Sequence, residues 1–374
     1  MKKILFFYGS YGGGHLSAAK SLKEYIEKNY PNTETKLVDC MEYINKFVNK
    51  LTTRAYSEMA KKAPWAWKRV YRSSEKGFFS KVSNASNKLM ASKLNKCIVE
   101  FKPDLIISTH PFSSQMCTIL KKRGKLNCKV ATVLTDFHIH NQWIIGPEYM
   151  DYYFVSNMQM KEDMCAKGVD KSKIFVTGIP FSERFLESFD KEAILEEFHL
   201  KPNKLTALFF AGGEFGLGKT RTYEIFRTLV TDFPQVQVIA IAGRNEKMKE
   251  LFTDCVKLIH REDDVCILDY TKQVPELMSI SDFVITKPGG LTTTESLVSG
   301  LPMLIINPIP GQEEQNAEFL ENTGAAIWLK KEDNTKTVLE NFLSSSEKLK
   351  SMKDSAIKLS KPNAVSDICN TLFK

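Results

Sequence analysis

Short apolar runs alternate along this chain with longer stretches in which apolar positions recur every three or four residues. The short runs predict buried β-strands, and the longer stretches predict amphipathic helices. The predicted strands cover residues 3–8, 35–38, 105–108, 129–134, 152–155, 174–176, 205–211, 237–242, 265–268, 283–285, 302–306 and 325–328. Strands that alternate with helices in this way are typical of parallel sheets with helices on both faces.

The predicted strands form two series of similar pattern, and each series begins with a strand, a glycine-rich turn and a helix. This pattern predicts an α/β protein with two Rossmann-like domains that face each other across a cleft, with ligands at the carboxyl ends of the strands. We predict an N-terminal domain at 1–182, a charged linker at 183–202 and a C-terminal domain at 203–345. The last helices, at 346–374, are expected to return to the N-terminal domain.

Composition is that of an ordinary globular protein. The chain is 43% hydrophobic and 26% charged. Its length of 374 residues is enough to bury two domain-sized cores. Eight cysteines are scattered singly without CxxC or metal-ligand spacing. The first residues lack a signal-peptide pattern, and no apolar run approaches the roughly 20 residues of a membrane span. We therefore expect a cytoplasmic protein with reduced thiols.

Positive charge is concentrated in the first 150 residues, which hold 25 Lys and Arg against 11 Asp and Glu. Within them, residues 46–81 carry ten Lys and Arg, two Glu and seven aromatic residues. This mixture predicts contact with an anionic membrane surface on the cytoplasmic face. The residues expected at the membrane are Trp65, Trp67, Lys68, Arg69, Arg72, Phe78 and Phe79. Single-stranded nucleic acid, or a solvated helix pair whose aromatic residues are core, are the alternatives.

The first glycine-rich turn, residues 9–14, follows the first strand and leads into a helix. A dinucleotide fingerprint needs a third glycine where this chain has Ser17, but Asp39 ends the second strand and leaves an NAD site open as an alternative. His15 follows the glycines at the helix N-terminus, where the helix dipole favours a neutral imidazole. We interpret His15 as a general base, with a purely capping histidine as the alternative.

The second turn, residues 213–220, matches the P-loop pattern GxxxxGK[ST] and lies between a predicted strand and a predicted helix. The strand at 265–268 ends in Asp269, an acid that could help to hold magnesium. A P-loop nucleotide hydrolase is therefore an alternative from another class. It would leave the first glycine-rich turn and the segment 281–316 without a role.

The segment 281–316 predicts a strand, a Pro-Gly-Gly turn, a helix, a buried strand and a polar loop. We expect one of the threonines at 292–294 to cap the helix. Free N–H groups at that N-terminus suit a diphosphate, and Glu295 could hydrogen-bond both hydroxyls of an attached ribose. Arg244, which follows a buried strand, could add a cation to the diphosphate.

These motifs together resemble the family of monogalactosyldiacylglycerol synthases and processive diacylglycerol glucosyltransferases, in glycosyltransferase family 28. The resemblance covers most of the chain through GSYGGGHLSAA, TDFHIHNQW, VTGIPFSERF, AGGEFGLG, IAGRN, KPGGLTTTES and PGQEEQN. It implies two Rossmann-like domains in the GT-B arrangement and catalysis without a bound metal or cofactor. It also implies transfer of a hexose from a UDP-sugar to diacylglycerol, with inversion at the anomeric carbon.

The resemblance also assigns residues. It makes His15 the general base and places Gly13, Gly14, Asp136 and His140 beside the acceptor. The implied donor-binding residues are Gly212, Gly213, Gly216, Arg244, Gly289, Gly290, Leu291, Thr292, Glu295, Gln312, Glu313 and Asn316. Among these, Glu295 would hold the ribose, and Gln312, Glu313 and Asn316 would contact the sugar.

The donor sugar is the main point that the resemblance leaves open. The segment HIHNQW lacks the Cys-His-Pro of the plant enzymes, so we expect UDP-glucose rather than UDP-galactose, which stays the alternative. A non-catalytic UDP-sugar or lipid sensor with the same fold is the alternative of another class.

Overall fold

The computed structural model describes residues 1–9, 13–44, 79–211 and 219–374, with the backbone alone for 79–89. The chain forms two compact units. The first comprises residues 1–182, 310–312 and 361–374, and the second comprises residues 183–309 and 313–360. Residues 183–202, for which a linker was predicted, belong to the second unit. The C-terminal helical stretch is divided, because only its last part belongs to the first unit.

Each unit contains a six-stranded sheet, and every strand pair is parallel. The strands are β1 Lys2–Tyr8, β2 Thr33–Asp39, β3 Leu105–Ser108, β4 Lys129–Val133, β5 Tyr152–Val155, β6 Ile174–Val176, β7 Leu205–Phe210, β8 Val236–Gly243, β9 Val265–Asp269, β10 Phe283–Thr286, β11 Met303–Ile305 and β12 Ala326–Trp328. The strand orders are β2-β1-β3-β4-β5-β6 and β12-β11-β10-β7-β8-β9.

Helices follow most of the strands. They are α1 Gly13–Asn29, α2 Cys40–Ile44, α3 Phe79–Phe101, α4 Pro111–Lys122, α5 Met158–Ala166, α6 Lys191–Glu197, α7 Lys219–Asp232, α8 Glu246–Leu258, α9 Val274–Ile280, α10 Gly290–Val298, α11 Gln312–Asn322, α12 Thr335–Phe342, α13 Ser346–Leu359 and α14 Ala364–Leu372. The prediction of an α/β protein with two Rossmann-like units is confirmed, and all twelve predicted strands form, with ends that differ by at most two residues.

Both faces of the first sheet are covered by helices. Successive residues of β1 point to opposite faces, and the apolar residues on each face are buried. Leu5 and Phe7 join a buried cluster that includes residues of α3 and α4. Ile4 and Phe6 join the cluster on the other face, together with residues of α1 and α14. In the second unit, Phe209 of β7 packs edge-on against Phe226 of α7, with ring centroids 5.7 Å apart.

The strand orders locate the position at which each sheet reverses its winding direction. In the first sheet β1 lies between β2 and β3, and in the second sheet β7 lies between β10 and β8. In open parallel sheets, ligands bind outside the carboxyl ends of the strands at such a reversal. The residues after β1 and β3 in the first unit, and those after β7 and β10 in the second, are therefore the candidates for ligand binding in each unit.

One predicted detail of the second unit is wrong. Helix α10 begins at Gly290 with Gly289 as its N-cap residue, so the threonines at 292–294 lie inside the helix. The hydroxyl of Thr294 donates a hydrogen bond to the Gly290 carbonyl at 2.8 Å. A threonine inside a helix can satisfy its hydroxyl in this way, and it then does not serve as a cap.

Further features of the molecule concern disulfides, membrane-spanning helices and clusters of metal ligands. All eight cysteines are free thiols. Among the residues that the structure describes, no helix is long and apolar enough to cross a membrane. Across the same residues, no group of three or more His, Cys, Asp or Glu side chains is placed to hold a metal ion.

Candidate active site

His15 lies in the first turn of α1 and is held by residues that follow β3 and β4. Its Nδ1 is 2.6 Å from the carbonyl oxygen of Thr109 and 3.0 Å from the hydroxyl oxygen of Thr135. Because a carbonyl oxygen can only accept, the proton of a neutral His15 resides on Nδ1. Nε2 therefore carries the lone pair. The Thr109 hydroxyl also donates to the His15 carbonyl at 2.8 Å, so Thr109 binds both the ring and the backbone of His15.

Burial keeps this imidazole neutral. It lowers the pKa of His15 to about 4, although the hydrogen bond to Thr109 acts in the opposite direction. The His110 ring meets the His15 ring edge-on, with centroids 4.7 Å apart, and the Trp143 ring centroid is 6.4 Å away. The sequence suggested a neutral imidazole because of the helix dipole, and the structure adds burial as the largest cause. A neutral imidazole with a fixed tautomer can accept a proton at Nε2.

The structure also bears on the alternative interpretations of His15 and Asp39, a capping histidine and an NAD site. Nδ1 of His15 bonds to Thr109 and Thr135, which belong to other segments, rather than capping its own helix. Asp39 Oδ1 accepts hydrogen bonds from the backbone N–H groups of Met41 and Glu42, at 2.9 and 3.1 Å. The position of Asp39 at the end of β2 is thus explained by capping of α2 rather than by an NAD ribose.

The segment after β4 reaches His15 through Thr135 and Trp143. Asp136, predicted beside the acceptor, is buried, and its carbonyl accepts a hydrogen bond from the Ser156 hydroxyl at 2.8 Å. His140 caps the 3₁₀ turn Asn141–Ile144, because its Nδ1 accepts from the Gln142 N–H at 3.2 Å. Acceptor contact by Asp136 and His140 stays a prediction.

Of the two acceptor-side glycines, Gly13 is exposed at the start of α1, and a Cβ there would meet no atom within 4 Å. Gly14 follows it in the same turn of the helix. Gly13 therefore leaves open space at the start of α1, and contact of the two glycines with an acceptor also stays a prediction.

Sequence reasoning missed four residues that surround His15, namely Thr109, His110, Thr135 and Trp143. A signal for two of them was present. His110 precedes Pro111 directly after β3, and a residue before proline favours an extended backbone while proline favours the first position of a helix. His110 is the N-cap residue of α4, with φ −134° and ψ 136°. Because α4 begins directly after β3, which lies at the reversal of the sheet, Thr109 and His110 could have been identified as candidate site residues.

In the second unit, the structure brings the Pro-Gly-Gly turn together with residues 313–316, the part of the PGQEEQN segment that belongs to this unit. The Asn316 side chain is fully buried and donates to the Pro288 carbonyl at 3.0 Å. A Cβ on Gly289 would lie 3.8 Å from Oε1 of Glu313, whose Oε2 accepts from the Ile309 N–H at 2.7 Å. Asn316 thus braces the turn that leads into α10. Sugar contact by Gln312, Glu313 and Asn316 stays a prediction.

Two ionisable side chains beside the Pro-Gly-Gly turn have shifted pKa values. Burial lowers the pKa of Lys287, against the opposite effect of the nearby Glu313 carboxylate. Burial raises the pKa of Glu295, in the second turn of α10, to about 8. The Glu295 carboxyl is therefore mainly protonated at pH 7 in the protein without ligand. Leu291 and Thr292 occupy the first turn of the same helix, next to Gly290.

Arg244 follows β8, and its guanidinium carbon lies 5.3 Å from the ring centroid of Tyr270. This places Arg244 at the carboxyl edge of the second sheet, and its contact with a diphosphate stays a prediction. Two other groups of predicted residues lie outside the described residues: Gly212, Gly213 and Gly216 of the donor site, and Trp65, Trp67, Lys68, Arg69, Arg72 and Phe78 of the membrane segment. Phe79 begins α3, of which only the backbone is described at that point.

The P-loop alternative receives no support from the residues that the structure describes. Lys219 and Thr220 are exposed at the start of α7. Asp269, the acid proposed for magnesium, lies on the edge strand β9 and is ion-paired with Lys249. Because β8 separates β9 from β7, that acid does not end a strand adjacent to the glycine-rich turn.

Comparisons with known proteins cover both units. Residues 15–181 match the family model of monogalactosyldiacylglycerol (MGDG) synthase, and residues 218–371 match that of the glycosyltransferase family 28 C-terminal domain. The chain is similar to the processive diacylglycerol beta-glucosyltransferase of Staphylococcus epidermidis, with 31% identity over 378 residues. That match covers 100% of this chain and 92% of the relative.

Solved structures share the fold. The co-structure of S. aureus MnaA with UDP has a TM-score of 0.67 at 14% identity, and covers 100% of this chain and 96% of that one. The crystal structure of Acinetobacter baumannii MurG has a TM-score of 0.66 at 13% identity, and covers 99% of both chains. At this identity the likeness concerns the fold, and it agrees with the fold class predicted from the sequence.

Proposed function

The chain belongs to the monogalactosyldiacylglycerol synthase family of glycosyltransferases, and from that premise we propose that it transfers glucose from UDP-glucose to diacylglycerol. The observation that carries the chemistry is the state of His15. Its neutral ring donates from Nδ1 to Thr109 and keeps an unprotonated Nε2. Such a nitrogen can take the proton from an acceptor hydroxyl, which a one-step inverting transfer requires.

In the proposed step, the diacylglycerol hydroxyl oxygen attacks the anomeric carbon while its proton passes to Nε2 of His15. The bond between the anomeric carbon and the diphosphate oxygen breaks, and UDP leaves with the electron pair. The N-terminus of α10 and Arg244 would stabilise the negative charge on the leaving diphosphate. Metal-independent transfer, which the family resemblance implies, is part of this proposal.

The choice of glucose rests on two arguments. The Staphylococcus epidermidis relative is named as a glucosyltransferase, and this chain lacks the Cys-His-Pro of the plant galactosyltransferases.

Contact with an anionic membrane surface on the cytoplasmic face is proposed from the basic and aromatic composition of residues 46–81. Such a surface would bring the protein to its lipid acceptor.

The function can be tested with purified protein and vesicles that contain diacylglycerol. UDP-glucose or UDP-galactose is supplied in the presence of EDTA, and the lipid products are resolved by chromatography. We expect glucosyldiacylglycerol, and more of it on vesicles that contain anionic lipid. A galactolipid instead would favour the alternative donor. Absence of transfer from either donor, with or without added magnesium, would contradict the enzymatic proposal and leave the sensor alternative.

Binding of UDP should release a proton from Glu295. Burial raises the pKa of Glu295 to about 8, so the carboxyl holds a proton at pH 7 before UDP binds. Ribose hydroxyls that donate to the carboxylate favour its charged form and lower that pKa, so the proton is lost. Calorimetry at pH 7 in buffers of different ionisation enthalpy should therefore show a release that approaches one proton per UDP.

The matched control for this measurement is Glu295→Gln, which keeps the size of the side chain but cannot titrate. The difference between wild type and variant separates the contribution of Glu295 from titration of UDP itself. Equal proton release by both proteins would show that Glu295 does not ionise on binding, which contradicts its assignment to the ribose.

A further inference from the structure

We propose that His110 is a positioning residue for His15, and that its ring holds the His15 imidazole in the orientation required for proton transfer. This inference rests on the proposed function of His15. No signal in the glycine-rich turns pointed to His110, because the two histidines are 95 positions apart in the chain. They meet because β1 and β3 are neighbours in the first sheet.

The contact between the two rings is specific. Their centroids are 4.7 Å apart and their planes form an angle of 77°, which is the edge-to-face geometry. The hydrogen bond from Nδ1 to Thr109 restrains one side of the His15 ring. The His110 ring, packed edge-on against the His15 ring, opposes rotation of the His15 ring away from the Thr109 carbonyl. Misplacement of a reacting group by about 1 Å can lower a rate about 10²-fold, so this restraint matters for turnover.

The His110 ring is itself held in place. Its Nδ1 accepts a hydrogen bond from the Phe112 N–H at 3.2 Å, which caps α4. The ring also lies against Gly9 at the end of β1, where a Cβ would come within 2.8 Å of Cδ2 of His110. Glycine at position 9 therefore provides the space in which the His110 ring lies.

A buried hydroxyl network holds the backbone of His110 independently of its ring. The Ser108 and Ser113 hydroxyls donate to the His110 carbonyl at 2.9 and 3.0 Å. The Ser114 hydroxyl is 2.6 Å from that of Thr132, which joins the network to β4. All of these side chains are buried. Substitution of the His110 ring should therefore leave the loop, and with it the Thr109 carbonyl, in place.

The hydrogen bond from the Phe112 N–H also determines which nitrogen of the His110 ring carries the proton. Because Nδ1 accepts from a backbone N–H, the proton of a neutral His110 resides on Nε2. Burial lowers the pKa of His110 well below its usual value, and the neighbouring His15 lowers it further. His110 therefore has no unprotonated nitrogen available to take a proton from His15. It positions the neighbouring ring and does not relay its proton.

Two substitutions separate the ring of His110 from its capping atom. His110→Asn keeps an acceptor at the N-cap, where asparagine is among the preferred residues, but removes the ring. His110→Phe keeps a ring but removes the acceptor. We expect His110→Asn to lower kcat about tenfold or more with little change in Tm. We expect His110→Phe to keep kcat within about threefold while Tm falls by a few degrees. Neither should change KM for the UDP-sugar.

The opposite order would overturn the inference. If kcat follows the cap, so that the Asn variant is active and the Phe variant is impaired, then His110 acts only by stabilising α4. His15→Ala is assayed in parallel to test the proposed function separately. Its retention of turnover would contradict the role of His15 as the base, whereas its loss of turnover with a fully active His110→Asn would contradict the positioning role alone.

A measurement that does not depend on activity completes the test. The chain has six histidines, so the ring ¹⁵N shifts can be assigned by single substitutions. We expect the Nδ1–H tautomer at His15 in wild type and in His110→Phe, and an averaged signal in His110→Asn. An unchanged, single-tautomer signal in His110→Asn would show that the His110 ring does not restrain His15.

Discussion

Replacement of His15 by alanine should lower kcat by about 10²- to 10⁴-fold, the usual contribution of a general base. The Kd for UDP should stay within about threefold of wild type, because the residues proposed to bind UDP belong to the second unit. This separation follows from the structure of the site. The substitution removes Nε2, the atom proposed to accept the proton, and leaves the Pro-Gly-Gly turn and Glu295 intact. The measurements are steady-state transfer to diacylglycerol and calorimetric titration with UDP.

His260→Asn provides the matched control for loss of an imidazole. His260 is exposed in the second unit and has φ of 54°, a left-handed conformation that asparagine tolerates. We expect this variant to keep wild-type turnover. A kcat for His15→Ala within tenfold of wild type would contradict the assignment, since another group would then have to take the proton. Loss of UDP binding in that variant would point to a structural role for His15.

Gly178→Ala should destabilise the first unit by roughly 2–5 kcal/mol, the combined cost of a strained backbone and steric overlap with neighbouring side chains. Gly178 lies in the VTGIP segment with φ of 94°, which residues with a Cβ rarely adopt. An added Cβ would also come within 2.5 Å of the Lys361 Cβ and 3.2 Å of the Ala364 Cβ. Lys361 precedes α14 and Ala364 begins it, and this helix covers one face of the first sheet. Urea unfolding of wild type and variant measures the difference.

Gly168→Ala separates the two causes of that loss. Gly168 has a similar φ of 85°, but a Cβ there meets no atom within 4 Å. It should therefore lose only the backbone contribution, roughly 1–2 kcal/mol. Cys369 of α14 is fully buried and offers a local signal, because its reaction with a thiol reagent should accelerate in Gly178→Ala. Equal destabilisation by both alanines would show that α14 does not depend on close approach at Gly178.

The elements could be predicted from the sequence because they depend on local pattern. The run of apolar residues in β10 and the Pro-Gly-Gly after it are enough to indicate a strand that ends in a turn. The start of α10 was predicted less well, because both Gly289 and the threonines after it are acceptable caps. Only the hydrogen bonds of the folded helix distinguish Gly289 as the cap, with Thr294 bonded inside the helix.

The sequence by itself determined the two α/β units, the glycine-rich turns and the choice of His15 and Glu295 as candidates, because these follow from residue type and spacing. The tertiary structure alone decided the tautomer of His15, since the Thr109 carbonyl that defines it is 94 residues away in the chain. It also decided which residues restrain that ring, because the order of strands in the sheet brings His110 to His15. Burial and hydrogen-bond partners are properties of the packed chain, and they determine the pKa of both candidates. No local pattern contains them.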